Sequence, residues 1–335
     1  MTTLSQIQHV REPLRLRRFG YLLASVAAIA VAGGAAQEIH RRTTQIALSV
    51  EESLVDIGGR DLRLVCSGAG DRKYILEAGA TGFAETWTWV QDALDDDARV
   101  CSYDRAGMGL SDPSPDGFDP ARVATDLHAA LTVSGEDGPY ILVGHSLGGF
   151  LIRDFAAQYP QDVEALVFVD SSHEDQLSIM PEDAAEMTRN FPNTLRMLSH
   201  LSATGLLNLW NPIAAGAEGL EGEALRAAEA FAGDRVHLAA SADEMEHWDD
   251  ISARVRQQER PRDLPVLAVT AGASVKGQPD FAEAFSTLHV ALAEGSDQGR
   301  HIVMSAANHF SILTDREQGA ELARLIATFA GVAID

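Results

Sequence analysis

Cysteine is nearly absent from this chain: there are two in 335 residues. No Cys/His/Asp cluster has the spacing of a zinc site, so neither a metal nor any other cofactor is expected. Basic residues are also scarce, 26 Lys and Arg against 49 Asp and Glu, for a formal net charge of -23. Nucleic acid is therefore excluded as an expected partner, because a phosphate backbone needs a basic surface. Internal repeats and low-complexity tracts are missing. With 46% apolar and 22% charged residues the chain can bury a core, so wholesale disorder is excluded too. Its length suits one large α/β domain with an insertion, or two smaller domains.

The charge is unevenly spread. Residues 1–42 hold six Arg and two Glu, net +4; the remainder holds 20 basic and 47 acidic residues, net -27. Arg11, Arg15, Arg17 and Arg18 precede an uncharged run of 18 residues from Phe19 to Ala36. As a helix that run would be roughly 27 Å long, close to the ~30 Å of a bilayer core. It is long for a signal-peptide core, so an uncleaved membrane anchor is expected, with an exported body after signal cleavage as the alternative. Either way the arginines mark the cytoplasmic side and the acidic body lies outside the cytoplasm, although Arg41 and Arg42 weaken that bias.

Past the leader, strand and helix signals alternate. Strands are expected at Ser53–Ile57 and Asp61–Ser67, joined by Gly58-Gly59, and at Tyr74–Glu77, Arg99–Tyr103, Tyr140–Val143, Ala165–Asp170, Pro265–Thr270 and His301–Ser305. Helices are expected at Phe83–Leu94, Pro120–Val133, Gly148–Tyr159 and Glu317–Phe329. Such alternation means an α/β fold, a mostly parallel sheet covered on both faces. Between Ser171 and Pro261 the strand signal vanishes. That stretch is helical, Met- and Leu-rich, and broken by prolines, and reads as an inserted cap. The expected organisation is a leader (1–42), a first core part (43–170), the helical cap (171–261) and a second core part (262–335).

One motif carries chemistry. Ile141-Leu-Val-Gly-His-Ser-Leu-Gly-Gly149 contains Gly144-x-Ser146-x-Gly148 between an apolar strand and a helix. The two glycines let the chain turn sharply, which holds Ser146 exposed at a strained tip. The backbone N–H of Leu147 then opens a helix and can stabilise an oxyanion. An activated serine needs a base. His309 follows the last strand, at the same sheet edge as Ser146, and is the expected base. His145 adjoins the serine but is expected to point elsewhere. His128 and His173 are read as structural or surface groups.

These residues resemble an α/β-hydrolase fold enzyme. The resemblance rests on Gly144-His-Ser-Leu-Gly-Gly149, Tyr103-Asp-Arg-Ala-Gly-Met-Gly-Leu-Ser-Asp112, Glu77-Ala-Gly-Ala-Thr-Gly82 and Asn308-His309, and spans the body except the cap. It implies an eight-stranded sheet and a second oxyanion N–H from Ala80. Family members often carry His-Gly where this chain has Ala78-Gly79, a change that leaves the backbone donor intact. Asp104, Arg105, Gly107 and Gly109 match a structural turn. The triad acid has two candidate places: Asp280, nearest to the late strand that ends at Thr270, and Asp170, placed as in the branch that resembles the haloalkane dehalogenases. Asp170 ends a buried strand, where an unpaired carboxylate costs several kcal/mol. Pairing with His309 would relieve that, so Asp170 is expected. The family's second strand runs antiparallel beside the fourth, which could bring Cys66 and Cys101 into a disulfide.

A serine nucleophile points to acyl transfer, where the fold's dehalogenases and epoxide hydrolases use a carboxylate. The cap carries Met180, Met187, Phe191, Met197, Leu206, Leu207, Trp210, Phe231, Met245 and Trp248; most are expected to pack within the cap and against the sheet and a minority to line an apolar pocket over Ser146, so the expected activity is hydrolysis of a small to medium ester, thioester or lactone with an apolar part. One alternative is an aminopeptidase or amidase, with Glu244, Glu246 or Asp249 receiving a peptide N-terminus. The other is a non-catalytic ligand-binding member.

Overall fold

A computed structural model describes residues 53–208, 211–258, 262–274 and 279–333, with scattered positions between 21 and 43. Eight strands form one sheet: β1 (Leu54–Asp56), β2 (Asp61–Ser67), β3 (Lys73–Glu77), β4 (Arg99–Tyr103), β5 (Tyr140–His145), β6 (Val163–Val169), β7 (Val266–Ala271) and β8 (Gly299–Met304). Their order is β1-β2-β4-β3-β5-β6-β7-β8. Only β2 runs against its neighbours; β4 to β8 and β3 are parallel.

Strand period sets the two faces. Tyr74 and Leu76, Ile141 and Val143, and Val167 and Val169 point to one side, against α1 (Thr88–Leu94) and α9 (Arg316–Ala333). The intervening Ile75, Leu142, Leu166 and Phe168 point to the other. There they meet α2 (Pro120–Val133), α3 (Gly148–Gln158) and α8 (Pro279–Glu294). Central strands buried on both sides read as unbroken apolar runs, which is why β5 and β6 were legible. Helix α8 is not among the expected elements, although Phe285, Leu288 and Leu292 recur at helical spacing. The expected helix at Phe83–Leu94 begins as a 3-10 turn, Ala84–Trp87, with Thr88 as its cap.

Between β6 and β7 the chain forms α4 (Glu182–Ser202), α5 (Gly222–Ala232), α6 (Arg235–Glu246) and α7 (Trp248–Arg256). This insertion covers the carboxyl edge of the sheet. Its underside packs Leu195, Leu238, Trp248 and Ile251 on Leu147 and Phe150 of the β5–α3 turn. Cys66 and Cys101 face each other across β2 and β4, with Cα atoms 4.1 Å apart, and are joined as a disulfide.

Much of the expected Phe19–Ala36 span lies outside the described residues. Residues 31–36 are helical, and Gly33 and Gly34 abut the backbone of Ala203–Gly205 just past α4. Among the described residues, no helix is long and apolar enough to cross a membrane.

Candidate active site

Parallel strands end on one edge, and the order reverses between β3 and β5, so the loops after them open a crevice. Ser146 follows β5, the Gly79–Gly82 loop follows β3, Asp170 follows β6 and His309 follows β8. Glu77 and Gly144 are register partners, which places the β3 loop beside the serine.

Ser146 has φ 52°, a left-handed conformation that costs a non-glycine residue energy. Its surroundings hold it there. Ser146 N–H donates to Val169 O at 3.1 Å, and its carbonyl accepts from Ser172 N–H at 2.9 Å. Gly144 must lack a side chain, because a Cβ there would sit 2.6 Å from Gly148 O. At Gly79 a Cβ would lie 2.9 Å from Ser146 Cβ, so the β3 loop can approach only as glycine.

His309 joins two of the expected residues. Its Nδ1 is 2.7 Å from Asp170 Oδ2 and its Nε2 is 3.1 Å from Ser146 Oγ. With Nδ1–H donating to the carboxylate, the Nε2 lone pair faces the serine hydroxyl. Asp170 is 1% exposed. It also accepts from Ala271 N–H at 2.9 Å and Ser274 Oγ at 3.3 Å. Burial alone would raise its pKa, but the hydrogen bond and charge of His309 outweigh that and hold it at about 2. Asp280 lies in α8, and its side chain is outside the described residues.

Two N–H groups are free to act as donors. Among the described residues, Ala80 N–H and Leu147 N–H reach no acceptor. They flank Ser146 on the β3 loop and at the start of α3.

His145 departs from expectation. It does not point away from the site. Its ring is 4.6 Å from that of His309, and its Nε2–H donates to His309 O at 2.8 Å. Burial, reinforced by any charge on His309, lowers its pKa to about 3, so it stays neutral. The signal for this was its place one residue before the serine. His128 stacks on Tyr159 and meets Asp162, and His173 Nδ1 accepts from Asp175 N–H; neither lines the cavity over Ser146.

A cavity of about 380 Å³ opens over Ser146, lined by Met180, Met187, Phe191, Met245, Trp248 and Phe285. A second, of about 320 Å³, runs along Ala214–Ala217 and meets the first at Ala80, Thr81, Phe191 and Phe310. Of the other expected cap residues, Phe231 and Leu207 are buried in packing, Met197 and Leu206 are exposed, and Trp210 lies outside the described residues. The carboxylates weighed for a peptide N-terminus are elsewhere. Glu244 is bound to Arg105 and Glu246 to Arg196, and neither they nor Asp249 line the Ser146 cavity.

Comparison with known proteins agrees with this architecture. The family profile described as alpha/beta hydrolase fold matches residues 70–206. A thermophilic esterase from Thermogutta terrifontis superposes with a TM-score of 0.57 at 18% identity, covering 84% of this chain and 97% of the esterase. Among sequences, a protein of Cronobacter sakazakii provisionally named a carbamate hydrolase, RutD, is 38% identical over 96 residues, 28% of this chain and 35% of that protein. An uncharacterized vacuolar membrane protein of Saccharomyces cerevisiae is 39% identical over 100 residues, 29% of this chain and 15% of the yeast protein. Matches to two further curated relatives cover 20% and 34% of their lengths, so this chain spans only a minor part of these relatives. The chain is an α/β-hydrolase-fold protein, with the eight-stranded sheet and inserted helices just described.

Proposed function

We propose that this protein is a serine hydrolase that cleaves a carboxylic ester-like bond (ester, thioester or lactone) through an acyl-enzyme. What supports the reading most is the single file of Ser146 Oγ, His309 and Asp170, at 3.1 and 2.7 Å. His309 Nε2 takes the hydroxyl proton as Ser146 Oγ bonds to the substrate carbonyl carbon. Ala80 and Leu147 N–H groups receive the negative charge that develops on the carbonyl oxygen. As the tetrahedral adduct collapses, the carbon–leaving-group bond breaks and His309 returns its proton to the leaving oxygen or sulfur. Water, deprotonated by His309, then attacks the acyl carbon, and Ser146 leaves with that proton. Asp170, ionised above pH ~2, steadies the imidazolium at each step.

The two apolar cavities meeting beside Ser146 favour a substrate with apolar groups on both sides of the scissile bond. The named hydrolases among its relatives favour the same reaction class. For location, the basic leader ahead of an acidic body favours a membrane tether with the catalytic part outside the cytoplasm, or export after cleavage. A disulfide between Cys66 and Cys101 suits that compartment.

The test is turnover of matched p-nitrophenyl esters and p-nitroanilides by the full chain and by Ser146→Ala. Ester hydrolysis that falls about 10⁶-fold in Ser146→Ala is the expected result. Equal ester turnover by wild type and variant would refute the proposal, and faster anilide than ester cleavage would move the reading to an amidase.

A further inference from the structure

Arg105 was matched to a structural turn, yet its guanidinium reaches the active-site loop. All five of its N–H donors have partners. Nε and one Nη2 hydrogen grip Glu244 of α6 at 2.7 and 2.8 Å. One Nη1 hydrogen meets Glu77 Oε1 at 2.6 Å. The other two donate to the β3 loop, Nη1 to Ala78 O at 2.7 Å and Nη2 to Gly79 O at 2.8 Å. The side chain is 4% exposed.

Gly79 O also accepts from Gly82 N–H at 3.0 Å, and the guanidinium's shorter bond to it bears on Ala80. Gly79 C=O and Ala80 N–H belong to one peptide unit, and among the described residues only Gly138–Pro139 is cis. In a trans peptide the C=O and N–H point in opposite directions. A guanidinium that holds the carbonyl at one edge of this planar unit therefore directs the N–H out of the opposite edge. The same helix braces the next residue: His237 Nε2–H donates to Thr81 O at 3.1 Å while its Nδ1 accepts from Gly109 N–H at 3.0 Å. Thr81 has φ 61°, a conformation its β-branched side chain resists, so the loop needs outside support.

We infer that Arg105, braced by Glu77 and Glu244, is a positioning residue that aims Ala80 N–H at the carbonyl oxygen of a substrate on Ser146. The inference rests on Ser146 being the nucleophile. It makes helix α6 of the insertion part of the oxyanion site rather than only its roof. Lysine cannot replace this group, because its donors radiate from one nitrogen and cannot form the planar fork.

The experiment uses the full chain with Arg105→Lys and Glu244→Gln, each checked for folding by circular dichroism and thermal melting. The readouts are kcat, KM and the infrared carbonyl stretch of a ¹³C-labelled acyl group on Ser146. For Arg105→Lys we expect kcat to fall about a hundredfold, as for loss of one oxyanion donor. KM should stay nearly unchanged, and the carbonyl band should move to higher frequency as its hydrogen bond weakens. Glu244→Gln should move both readouts in the same direction by less, and it decides the matter if Arg105→Lys does not fold. A folded variant with wild-type kcat, or with reduced kcat but an unshifted band, overturns the inference. A wild type that forms no acyl-Ser146 overturns the hydrolase reading and this inference together.

Discussion

The sheet edge and the helical insertion build their halves of the site in different ways. Ser146, Asp170 and His309 stand at strand ends, so main-chain pairing sets their positions. Ser146 N–H binds Val169 O, and Asp170 N–H binds Val269 O at 2.7 Å. The β3 loop has one backbone bond of its own, Gly82 N–H to Gly79 O at 3.0 Å, and is otherwise held by side chains from distant sequence. Arg105 and Glu244 are 139 residues apart, and His237 and Thr81 are 156 apart. Similar polar links anchor the rest of the insertion, Arg153 to Glu174 at 2.5 Å and Arg254 to Asp154 at 2.6 Å. Backbone placement survives most substitutions. Placement by a buried charged fork does not, since removing one partner leaves the others desolvated and unpaired.

Four perturbations separate these two modes, in descending order of effect. Asp170→Asn leaves the strand ends in place but takes the carboxylate from His309; kcat should fall about 10⁴-fold, or roughly 5 kcal/mol, with a folded protein by circular dichroism. A variant with near-wild-type kcat would mean that Asp170 only caps its strand. Phe168→Ala strikes the sheet core itself. Fully buried between β6 and its helices, it should cost about 3–5 kcal/mol in urea unfolding while the remaining folded fraction keeps its kcat. Replacing Cys66 and Cys101 with serine opens a link across 35 residues. That should cost about 2–4 kcal/mol by the same measurement, again without changing kcat, because the bond lies away from the carboxyl edge.

The fourth perturbation is of pH and targets the insertion. His237 is buried, and desolvation holds its pKa down to about 4 from 6.5. The unfolded chain therefore takes up a proton below pH 6.5 that the native state refuses until about pH 4. Stability from this group is full above 6.5 and is lost as pH falls through that window. His237→Gln should make the fall in unfolding free energy between those limits shallower by about 1.4 kcal/mol per pH unit. An unchanged slope would mean that the ring is protonated in the native state and does not donate to Thr81 O as a neutral group.

The same division explains what the sequence made legible. Gly144-x-Ser146-x-Gly148 is local, and its steric demands are written in consecutive residues. The place of His309 after the last strand follows from parallel topology. Asp170 was legible because a carboxylate ending a run such as Ala165–Val169 requires a partner. The unbroken apolar runs of β5 and β6 announced buried central strands. By contrast, nothing near Arg105 names Glu244, and Glu244 is one acid among 49 in the chain. The inward turn of His145 was missed because side-chain direction at a strained turn depends on its left-handed neighbour. The two cavities depend on how α4 to α7 cross the sheet edge, which their composition does not specify.

The central claim, that Ser146 is an activated nucleophile, is tested most directly by intact mass spectrometry after incubation with a fluorophosphonate. The account predicts one adduct on the wild type, mapped to Ser146, and none on Ser146→Ala. A folded wild type that stays unmodified, or equal labelling of the variant, would contradict it.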